Sequence, residues 1–477
     1  MLRKIFLLLI ICSSTVVFSQ KKVAQFINSL KTSSSNIKDV IPIVNAENGD
    51  FAIFIADAKN VYGYKLDSTF TLQEKIISGE KRRKYKTIVG TSISQNNQTY
   101  KVFLGDKSNK NFISFNFSFN DGKTSSKEFK LRGGDKFIQT VSTNNKLYFI
   151  TTSFTSKGMF VYSFDKNGDF QRNHIDLSGI KLFNWNNKVL PITEFLTSSE
   201  SVKKIEESNP NSIESVASDT KMYVKENQVI FSFDENPAFT QILTLDLTTF
   251  KVTRKVFNKS MQGIRKLKTN SYINGNTFFS LTANKDKLLL NVLDYNSGKR
   301  IKQFKILKDQ LINFKNTPII QEGGMYDGYR ELEKTKKFLR KISSGEVGVA
   351  VLTRNNQFEI TLGGYKLQSS GGGFGVGFGM SSFGGASFGG GNVNVFFNPA
   401  MSAYGSYTST KSTRIECLFD ENFNHIKGEI KDNAFDKMDG YDSPVLNAET
   451  VFKYKGFYLK GSYSSVTKGY SLRKFTN

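Results

Sequence analysis

Residues 147–175 read LYFITTSFTSKGMFVYSFDKNGDFQRNHI, and the pattern that decides the fold is contained in this stretch. Apolar and polar residues alternate in short runs rich in Phe, Tyr, Ile, Val and Thr, which is typical of β-strands. The run Tyr162-Ser163-Phe164-Asp165 ends in an acid, and Asn167-Gly168 supplies residues that tolerate positive φ. A more polar run follows. The stretch therefore predicts two antiparallel strands joined by a tight turn.

The same unit recurs along the chain. A strand ends in an apolar residue, any residue, a second apolar residue and then Asp or Asn, after which a short turn leads to a more polar strand. The instances are YKLD at 64–67, FSFN at 117–120, YSFD at 162–165, LTLD at 243–246, NVLD at 291–294 and CLFD at 417–420. The repeated acid could form a ring of ligands. We favour a structural role, because Asp and Asn side chains start tight turns by accepting backbone hydrogen bonds.

The spacing of the units indicates one class of fold. Instances at 64, 117 and 162 are about 45–53 residues apart, which is the length of one propeller blade. The chain resembles β-propeller proteins as a broad class, and the resemblance implies an all-β fold of repeated antiparallel meanders. The units lie near 40–76, 88–131, 137–177, 216–257, 262–307, 343–430 and 442–477, and this count predicts seven blades, with six or eight left open.

The resemblance is one of architecture. The Gly-His and Trp-Asp marks of WD repeats and the double glycines of kelch repeats are missing, so no family's functional residues can be carried over. The last unit runs out of chain after its third strand, and residues 23–30 are the candidate for its outer strand. We expect this closure because an open ring would leave unpaired strand edges.

Three insertions interrupt the predicted domain, 20–477. Residues 178–215, with Trp185, Pro191 and Pro210, are interpreted as a long surface loop. Residues 325–342 carry a helical signal, because apolar residues at 332, 338, 339 and 342 share one face. Residues 367–410 contain no charged residue, and their centre, 369–391, contains eleven glycines.

The Gly-rich insertion has two interpretations. It is either a low-complexity excursion from a hairpin, since glycine is costly to order, or a contact loop. In the second interpretation its aromatic residues make peripheral contact with a membrane through 369–391, or dock on an apolar partner. The candidate contact residues are Phe374, Phe378, Phe383, Phe388, Phe396 and Phe397.

The first nineteen residues are interpreted as a signal peptide. Arg3 and Lys4 precede the apolar run 5–11, and Val17 and Ser19 suit a cleavage site that leaves Gln20 first. The run is too short for a membrane anchor, and lipid attachment at Cys12 is the third interpretation. The sequence therefore predicts an exported protein, with the periplasm, the outer membrane and the exterior as alternatives.

The charge limits the class of partner. The formal net charge is +24, but the basic residues are scattered over the chain. A nucleic-acid partner is not expected, because it would need a clustered basic face. An envelope protein, an anionic glycan or an anionic surface fits better, and a simple solubility charge is the alternative. The oligomeric state is left open.

No catalytic, metal or cofactor motif is present in the sequence. His174 and His425 are the only histidines, and both are expected in outer strands of different units. Cys417 lies in an apolar run and is expected to be a buried thiol. The basic run 81–86 is interpreted as a solvated loop, and 165–169 as a hairpin turn rather than a calcium loop.

The sequence favours a non-enzymatic envelope scaffold that binds a protein, a glycan or a surface. The alternative is a glycan-active propeller enzyme, either a hydrolase or a lyase. The two can be separated by the structure, because an enzyme would bring acids and tyrosines together near one end of the central channel, whereas a scaffold would have scattered charges there.

Overall fold

The computed structural model describes residues 20–28, 39–94, 99–165, 168–197, 202–260, 267–323, 328–366, 398–441, 447–464 and 466–477. These residues form seven sheets of four or five strands and one two-stranded hairpin. None of the helices described there is long and apolar enough to cross a membrane.

The first half of the described chain contains three sheets. Strand β1 (Gln20–Ile27) comes before them. Sheet I contains β2 (Asp39–Val44), β3 (Phe51–Ala56), β4 (Val61–Leu66) and β5 (Leu72–Ile77). Sheet II contains β6 (Thr87–Ile93), β7 (Thr99–Gly105), β8 (Asn111–Ser118) and β9 (Lys123–Lys130). Sheet III contains β10 (Asp135–Thr143), β11 (Lys146–Ser153), β12 (Gly158–Phe164) and β13 (Phe170–Ile175).

An insertion separates sheets III and IV. It contains the hairpin β14 (Leu182–Phe183) and β15 (Val189–Leu190), helix α1 (Ile192–Leu196), strand β16 (Lys203–Ile205) and helix α2 (Ile213–Val216). Sheet IV contains β16 and then β17 (Thr220–Lys225), β18 (Gln228–Phe233), β19 (Phe239–Asp246) and β20 (Val252–Asn258). Sheet V contains β21 (Lys268–Asn274), β22 (Thr277–Ala283), β23 (Lys287–Asp294) and β24 (Arg300–Leu307).

The last two sheets include strands from distant parts of the chain. Between sheet V and the end of the chain lie β25 (Ile319–Gln321), β26 (Arg330–Leu332), α3 (Thr335–Ile342), β27 (Glu346–Arg354), β28 (Gln357–Tyr365), α4 (Pro399–Thr408), β29 (Ser412–Phe419), α5 (Ala434–Asp439), β30 (Asn447–Tyr454), β31 (Phe457–Ser464) and β32 (Gly469–Phe475). Sheet VI has the order β27-β28-β29-β25-β26, and sheet VII has the order β30-β31-β32-β1.

The repeated sequence unit corresponds to the third and fourth strands of a sheet. The second strand β3 is buried at every position, because a neighbouring sheet covers each of its faces. Fourth strands such as β5 are mostly exposed, which explains why the run after each turn is polar. In the turn between them, Asp67 Oδ1 accepts hydrogen bonds from the backbone N–H of Thr69 (2.8 Å) and Thr71 (3.0 Å). The predicted structural role of the repeated acid is thus confirmed.

Hydrogen bonds between turns connect the sheets to one another. The bonds that join the first–second turns or their flanking residues are Tyr454 Oη to Gly49 O (2.9 Å), Ala46 N to Asn145 Oδ1 (3.1 Å), Ile93 N to Asn145 O (2.8 Å), Thr143 Oγ1 to Glu226 O (2.6 Å), Lys225 Nζ to Gly275 O (2.6 Å) and Thr353 Oγ1 to Asn274 Oδ1 (2.6 Å). These bonds place the first–second turns of all seven sheets on one side, which we call the turn face. The third–fourth turns lie on the same face, because strands alternate in direction.

The opposite side is the connector face. It holds the second–third turns and the connections between sheets. In several sheets the two are hydrogen-bonded, for example Leu131 N to Lys110 O (3.0 Å) and Lys308 N to Asp286 O (3.0 Å).

The N-terminal strand completes the last sheet, as the sequence predicts. Strand β1 pairs antiparallel with β32, and Ala24 lies opposite Leu472. Phe26 stacks on Tyr64 of sheet I and on Tyr470 of sheet VII, with ring centroids 4.4 and 5.6 Å apart. The chain is a β-propeller of antiparallel meanders, and the two ends of the chain form its last sheet together.

The predicted surface loop at 178–215 is wrong for its second half. Residues 203–217 run along the central side of the propeller, where β16 pairs in parallel with β17. Asn209 is fully buried. Asn211 Nδ2 donates to Tyr272 Oη in sheet V (3.0 Å), and Tyr458 Oη of sheet VII donates to Ser208 O (2.8 Å). The segment fills the centre because it supplies partners for buried tyrosines of sheets V and VII.

Other expectations need smaller corrections. The helix predicted at 325–342 begins only at Thr335, and residues 330–332 form β26 instead. Its apolar face is confirmed, since Phe338, Leu339 and Ile342 are fully buried. The outer strand of sheet VI comes from β25, which precedes the predicted unit 343–430.

The basic run 81–86 is a connection between sheets I and II, but it is not solvated throughout. Lys81 is buried, and its Nζ donates to Ala58 O (3.1 Å) and Tyr85 O (2.9 Å). Tyr85 is buried as well. Because backbone carbonyl oxygens bind the Lys81 ammonium group, this residue anchors the connection rather than facing solvent.

Candidate functional site

Two helices lie at the junction of sheets VI and VII, which we call the seam. Helix α4 begins with Pro399 after Asn398, whose side chain accepts a hydrogen bond from Met401 N. Helix α5 begins with a capping box formed by Asn433 and Asp436. Both helices are short, and each begins where a capping side chain accepts backbone hydrogen bonds.

The helices cover the face of sheet VII that points toward the seam. One apolar cluster contains Ala400, Ala403, Tyr404, Ala434, Phe435 and Met438 from the helices and Val451, Tyr458 and Phe475 from sheet VII. Phe435 packs edge-to-face on Tyr458, with ring centroids 5.2 Å apart. Because the helices occupy the space that a neighbouring sheet would fill, sheet VI does not pack directly on sheet VII at this point.

The face of sheet VI that points toward the helices is charged. On β28 and β29, Ile360 and Cys417 point into the apolar core shared with sheet V. The alternate positions carry Glu359, Arg414 and Glu416, since successive side chains of a strand point to opposite faces. A face that apolar residues would cover in an ordinary sheet contact is therefore lined by ionisable groups.

Between this face and the helices lies a cleft of about 620 Å³, the seam cleft. Its wall includes residues 210–213 at the centre of the propeller, 407–411 at the end of α4, and 430–433 before α5. Tyr329, which is 60% exposed, also lines the cleft. The cleft thus extends from the central segment to the surface of the protein.

Ion pairs organise the charged wall. Arg354 Nε donates to Glu359 Oε1 (2.7 Å), and Arg414 Nε donates to Glu416 Oε1 (3.0 Å). Arg414 also pairs with Glu322 Oε2 (2.5 Å). Burial raises the pKa of Glu359, and the positive charge of Arg354 opposes this shift. Burial lowers the pKa of Arg414, but its bonds to Glu322 and Glu416 outweigh this and raise it overall.

The opposite wall presents a hydroxyl network. Tyr407 Oη donates to Asp436 Oδ1 (2.6 Å) and accepts a hydrogen bond from Asn433 Nδ2 (3.0 Å). Burial raises the pKa of Tyr407, and the negative charge of Asp436 raises it further. The phenol is therefore neutral at ordinary pH and can take part in hydrogen bonds as a hydroxyl group.

Arg354 also bridges the seam. Its Nη1 donates to Asp432 O (3.0 Å) and its Nη2 donates to Lys431 O (2.6 Å). One guanidinium group thus joins the end of β27, the carboxylate of Glu359 and the segment that leads into α5.

The structure does not test the contact residues predicted from the sequence. Phe374, Phe378, Phe383, Phe388, Phe396 and Phe397 fall in 367–397, outside the described residues. The described residues on either side, Lys366 and Asn398, follow β28 and precede α4. Strand β28 itself ends at the connector face.

The histidines lie apart, as the sequence predicts. His174 is an exposed residue of the outer strand β13, as predicted. The outer strand predicted for His425 is wrong, because this residue forms only an isolated bridge with Phe419 and its Nε2 lies 3.1 Å from Asn316 Oδ1. Cys417 is fully buried, and burial raises the pKa of its thiol. Within the described ranges, no group of three or more His, Cys, Asp or Glu residues could hold a metal ion.

The sequence reading missed the residues of the seam cleft. A signal was present, because Glu359 and Thr361 interrupt the apolar run on β28 and Arg414 and Glu416 interrupt the run on β29. Such alternation is also what a solvated strand face would show. The tertiary structure was needed to show that this face lines a cleft.

Comparison with known proteins identifies no family. No family model and no curated protein matches the chain. Among solved structures, it is similar to an uncharacterized protein from Listeria monocytogenes, at 10% identity and a TM-score of 0.32, covering 95% of this chain and 98% of that one.

Two further solved structures match most of the chain at low identity. The WD40 domain of SCAP from fission yeast is 7% identical, with a TM-score of 0.35, and the match covers 95% of this chain and 97% of that one. The Dos1 propeller is 11% identical, with a TM-score of 0.28 and coverage of 96% and 95%. Similarity at this level says nothing about the ligand.

Proposed function

We propose that this protein is an exported envelope protein that acts as a binding scaffold, with the seam cleft as its ligand site. The observation that carries the proposal is the charged face of sheet VI, on which Glu359, Arg414 and Glu416 line a cleft of about 620 Å³. Burying charged groups is costly, so apolar packing would have been the simpler way to fill the seam.

The chemistry of the cleft favours a glycan ligand. Carboxylates and guanidinium groups accept and donate hydrogen bonds in adjacent positions, which matches the hydroxyl groups of sugars. Tyr329 at the mouth offers an aromatic ring, and Tyr407 a neutral hydroxyl group. The ion pairs hold these groups in place before a ligand arrives, and this preorganisation lowers the entropic cost of binding.

Direct binding to a panel of defined oligosaccharides, measured by calorimetry, tests the proposal. Glu416→Gln removes the carboxylate that pairs with Arg414 and is expected to weaken binding by about tenfold or more, in line with the loss of a charged hydrogen bond. The matched control is Glu421→Gln, an exposed residue of a turn-face turn. Binding that is unchanged in Glu416→Gln, or equally weakened in the control, would contradict the proposal.

One observation favours glycan cleavage as a second function. Glu359 has a raised pKa and Glu416 lies on the neighbouring strand, and a carboxylic acid with a raised pKa is what a glycosidase uses as its general acid. Release of reducing ends from the same oligosaccharides, abolished in Glu359→Gln, would replace the scaffold proposal with the enzymatic one.

Export is the other part of the proposal and rests on residues 1–19, which lie outside the described residues. Its support is the sequence of a positive start, an apolar run and a cleavage site before Gln20. Intact-mass measurement of the native protein is expected to give a chain that begins near Gln20. A mass that retains the first eighteen residues, or a lipid on Cys12, would refute this.

A further inference from the structure

Large apolar side chains with high exposure are unevenly distributed between the two faces of the propeller. In the described part of the chain, the large apolar residues that are more than half exposed are Ile27, Phe154, Trp185, Leu311, Tyr329 and Val466. Phe154 and Val466 lie in second–third turns, and Trp185 and Leu311 lie in connections between sheets. Ile27 ends the outer strand of sheet VII. These positions all belong to the connector face.

Tyr329 belongs to the same face for a topological reason. Strand β25 runs antiparallel to β29, and Gln321 lies opposite Thr413 near the start of β29. Since β29 begins at the connector face, the chain leaves β25 there and reaches Tyr329 before β26.

Exposed basic residues accompany these apolar residues. Lys157 and Lys188 are exposed in the segments that carry Phe154 and Trp185, and Lys468 is exposed two residues after Val466. The connection between sheets I and II adds Arg83 and Lys84, which are also exposed. The connector face thus combines positive charge with apolar side chains at the tips of its loops.

The turn face carries a repeated acid. Its third–fourth turns carry Asp67, Asp121, Asp165, Asp246, Asp294 and Asp420. In one of these turns, hydrogen bonds from the backbone N–H groups of Thr249 and Thr248 lower the pKa of Asp246. Exposed lysines such as Lys251 and Lys299 lie at this face too, so the two faces differ most clearly in their large apolar side chains. Within the described residues, those that are more than half exposed all lie at the connector face.

We propose that the connector face binds the surface of an anionic phospholipid bilayer. The apolar tips would enter the boundary between head groups and acyl chains, and the lysine and arginine side chains would contact lipid phosphates. Trp and Tyr are favoured at this depth, because their rings are apolar and carry a polar edge. Basic residues near an anionic leaflet add attraction that falls off over the Debye length.

The arrangement favours a bilayer over a protein partner. The six apolar residues lie on separate loops of sheets III, VI and VII and of the connections between sheets, rather than in one groove. A protein partner would be recognised by a contiguous apolar core with a polar rim. A fluid planar surface can accept several separate side chains at once, as interfacial membrane anchors do.

Co-sedimentation of the full chain with vesicles tests the inference. Vesicles of phosphatidylcholine alone are compared with vesicles that contain phosphatidylglycerol as the anionic lipid, at low and high salt. The wild-type protein is expected to bind the anionic vesicles, and to bind less as salt increases.

Two matched pairs of double variants separate the faces. Trp185→Ser with Leu311→Ser is expected to weaken binding by about tenfold or more, whereas Leu72→Ser with Ile301→Ser at the turn face is expected to leave it within twofold. Lys157→Glu with Lys188→Glu is expected to weaken binding more than Lys251→Glu with Lys299→Glu, which changes the net charge equally. Because all variants share the first nineteen residues, any contribution from that segment cancels.

Three results would overturn the inference. The first is that the wild-type protein does not bind anionic vesicles. Binding only to membranes that retain their proteins would count as this result, because it would indicate a protein partner. The others are equal losses in the variants of the two faces, and no loss in the connector-face variants. All substituted residues are exposed, so unchanged melting temperatures are expected and confirm that each variant is folded.

Discussion

Tyr454 Oη donates a hydrogen bond to the carbonyl oxygen of Gly49 (2.9 Å), and it thereby ties the last sheet of the propeller to the first. The ring of Tyr454 also packs on Phe51, with centroids 5.3 Å apart. Tyr454 and Gly49 are 405 positions apart in the chain. The ends of the chain are therefore held together by direct contacts between sheets I and VII, in addition to the pairing of β1 with β32.

Phe26 is expected to be important for this closure. It is 5% exposed and stacks on Tyr64 and Tyr470. Phe26→Ala is expected to lower the free energy of unfolding by about 3 kcal/mol, since it leaves a cavity between sheets I and VII. Denaturant unfolding gives the value. Gln25→Ala, an exposed residue of the same strand, is the control and is expected to change it by less than about 0.5 kcal/mol. Equal effects of the two would mean that β1 does not close the propeller.

Asp234 is expected to hold a buried charge cluster together. It is 1% exposed, and its Oδ2 accepts from Lys221 Nζ (2.7 Å), while Lys259 Nζ donates to its backbone carbonyl (2.7 Å). The Lys259 ammonium group also lies 3.7 Å from Asp234 Oδ1. Asp234→Asn leaves the ammonium groups of Lys221 and Lys259 without this carboxylate, and it is expected to lower the free energy of unfolding by at least about 3 kcal/mol.

A second variant distinguishes charge from packing in this cluster. Asp234→Asn combined with Lys221→Met removes one charge of each sign and is expected to recover part of the loss in denaturant unfolding. Asp246→Asn is the half-exposed control at the turn face, because Asn also starts tight turns. Failure of the double variant to recover any stability would show that shape, and not charge balance, dominates at this site.

Asp39 is expected to make stability depend on pH. Burial raises its pKa to about 7, although hydrogen bonds from the backbone N–H of Ile88 and Val40 oppose the shift. The folded state thus holds a proton that the unfolded state releases near its ordinary pKa. The contribution of Asp39 to stability is therefore fully present below about pH 4 and is lost as the pH rises through about 7.

Urea unfolding of Asp39→Asn between pH 4 and pH 8 checks this expectation. Since Asn does not titrate, the free energy of unfolding is expected to fall less with increasing pH than in the wild type. Asp121→Asn is the control, because a hydrogen bond from Ser118 lowers the pKa of that acid and moves its titration below this range. The prediction is wrong if the slopes of Asp39→Asn and the wild type agree.

The Gly/Phe segment is expected to contribute little to folding. Closing a longer loop adds only about 0.6 kcal/mol for each doubling of its length. Replacement of 369–391 by a short Gly-Ser linker should therefore leave the melting temperature within a degree or two, measured by calorimetry. A large loss would show that the segment forms part of the core, whereas unchanged stability with unchanged envelope association would remove the contact-loop hypothesis.

The sequence by itself determined the strands, the tight turns and the closure by the N-terminal strand. Asp67 and Asp246 start their turns through contacts with residues only two to four positions away, so composition alone predicts them. The last unit ends after its third strand, β32. The apolar residues of β1 could therefore be predicted to supply its missing outer strand. These features depend on local hydrogen bonds and on a period of two residues.

Only the tertiary structure decided where distant segments meet. Two residues of β25, Ile320 and Gln321, pair with β29. Just before β25, the Thr317 hydroxyl accepts a hydrogen bond from the N–H of Glu416, 99 positions away. A strand so short carries no periodic signal, and it pairs with β29 because that strand has an unpaired edge in sheet VI.

Segment 203–217 fills the centre because Tyr272 and Tyr458 need buried partners there. The seam cleft exists because α4 and α5 hold sheet VI away from sheet VII. Local patterns cannot specify such contacts, since a charged strand face looks the same in sequence whether it meets solvent or a cleft.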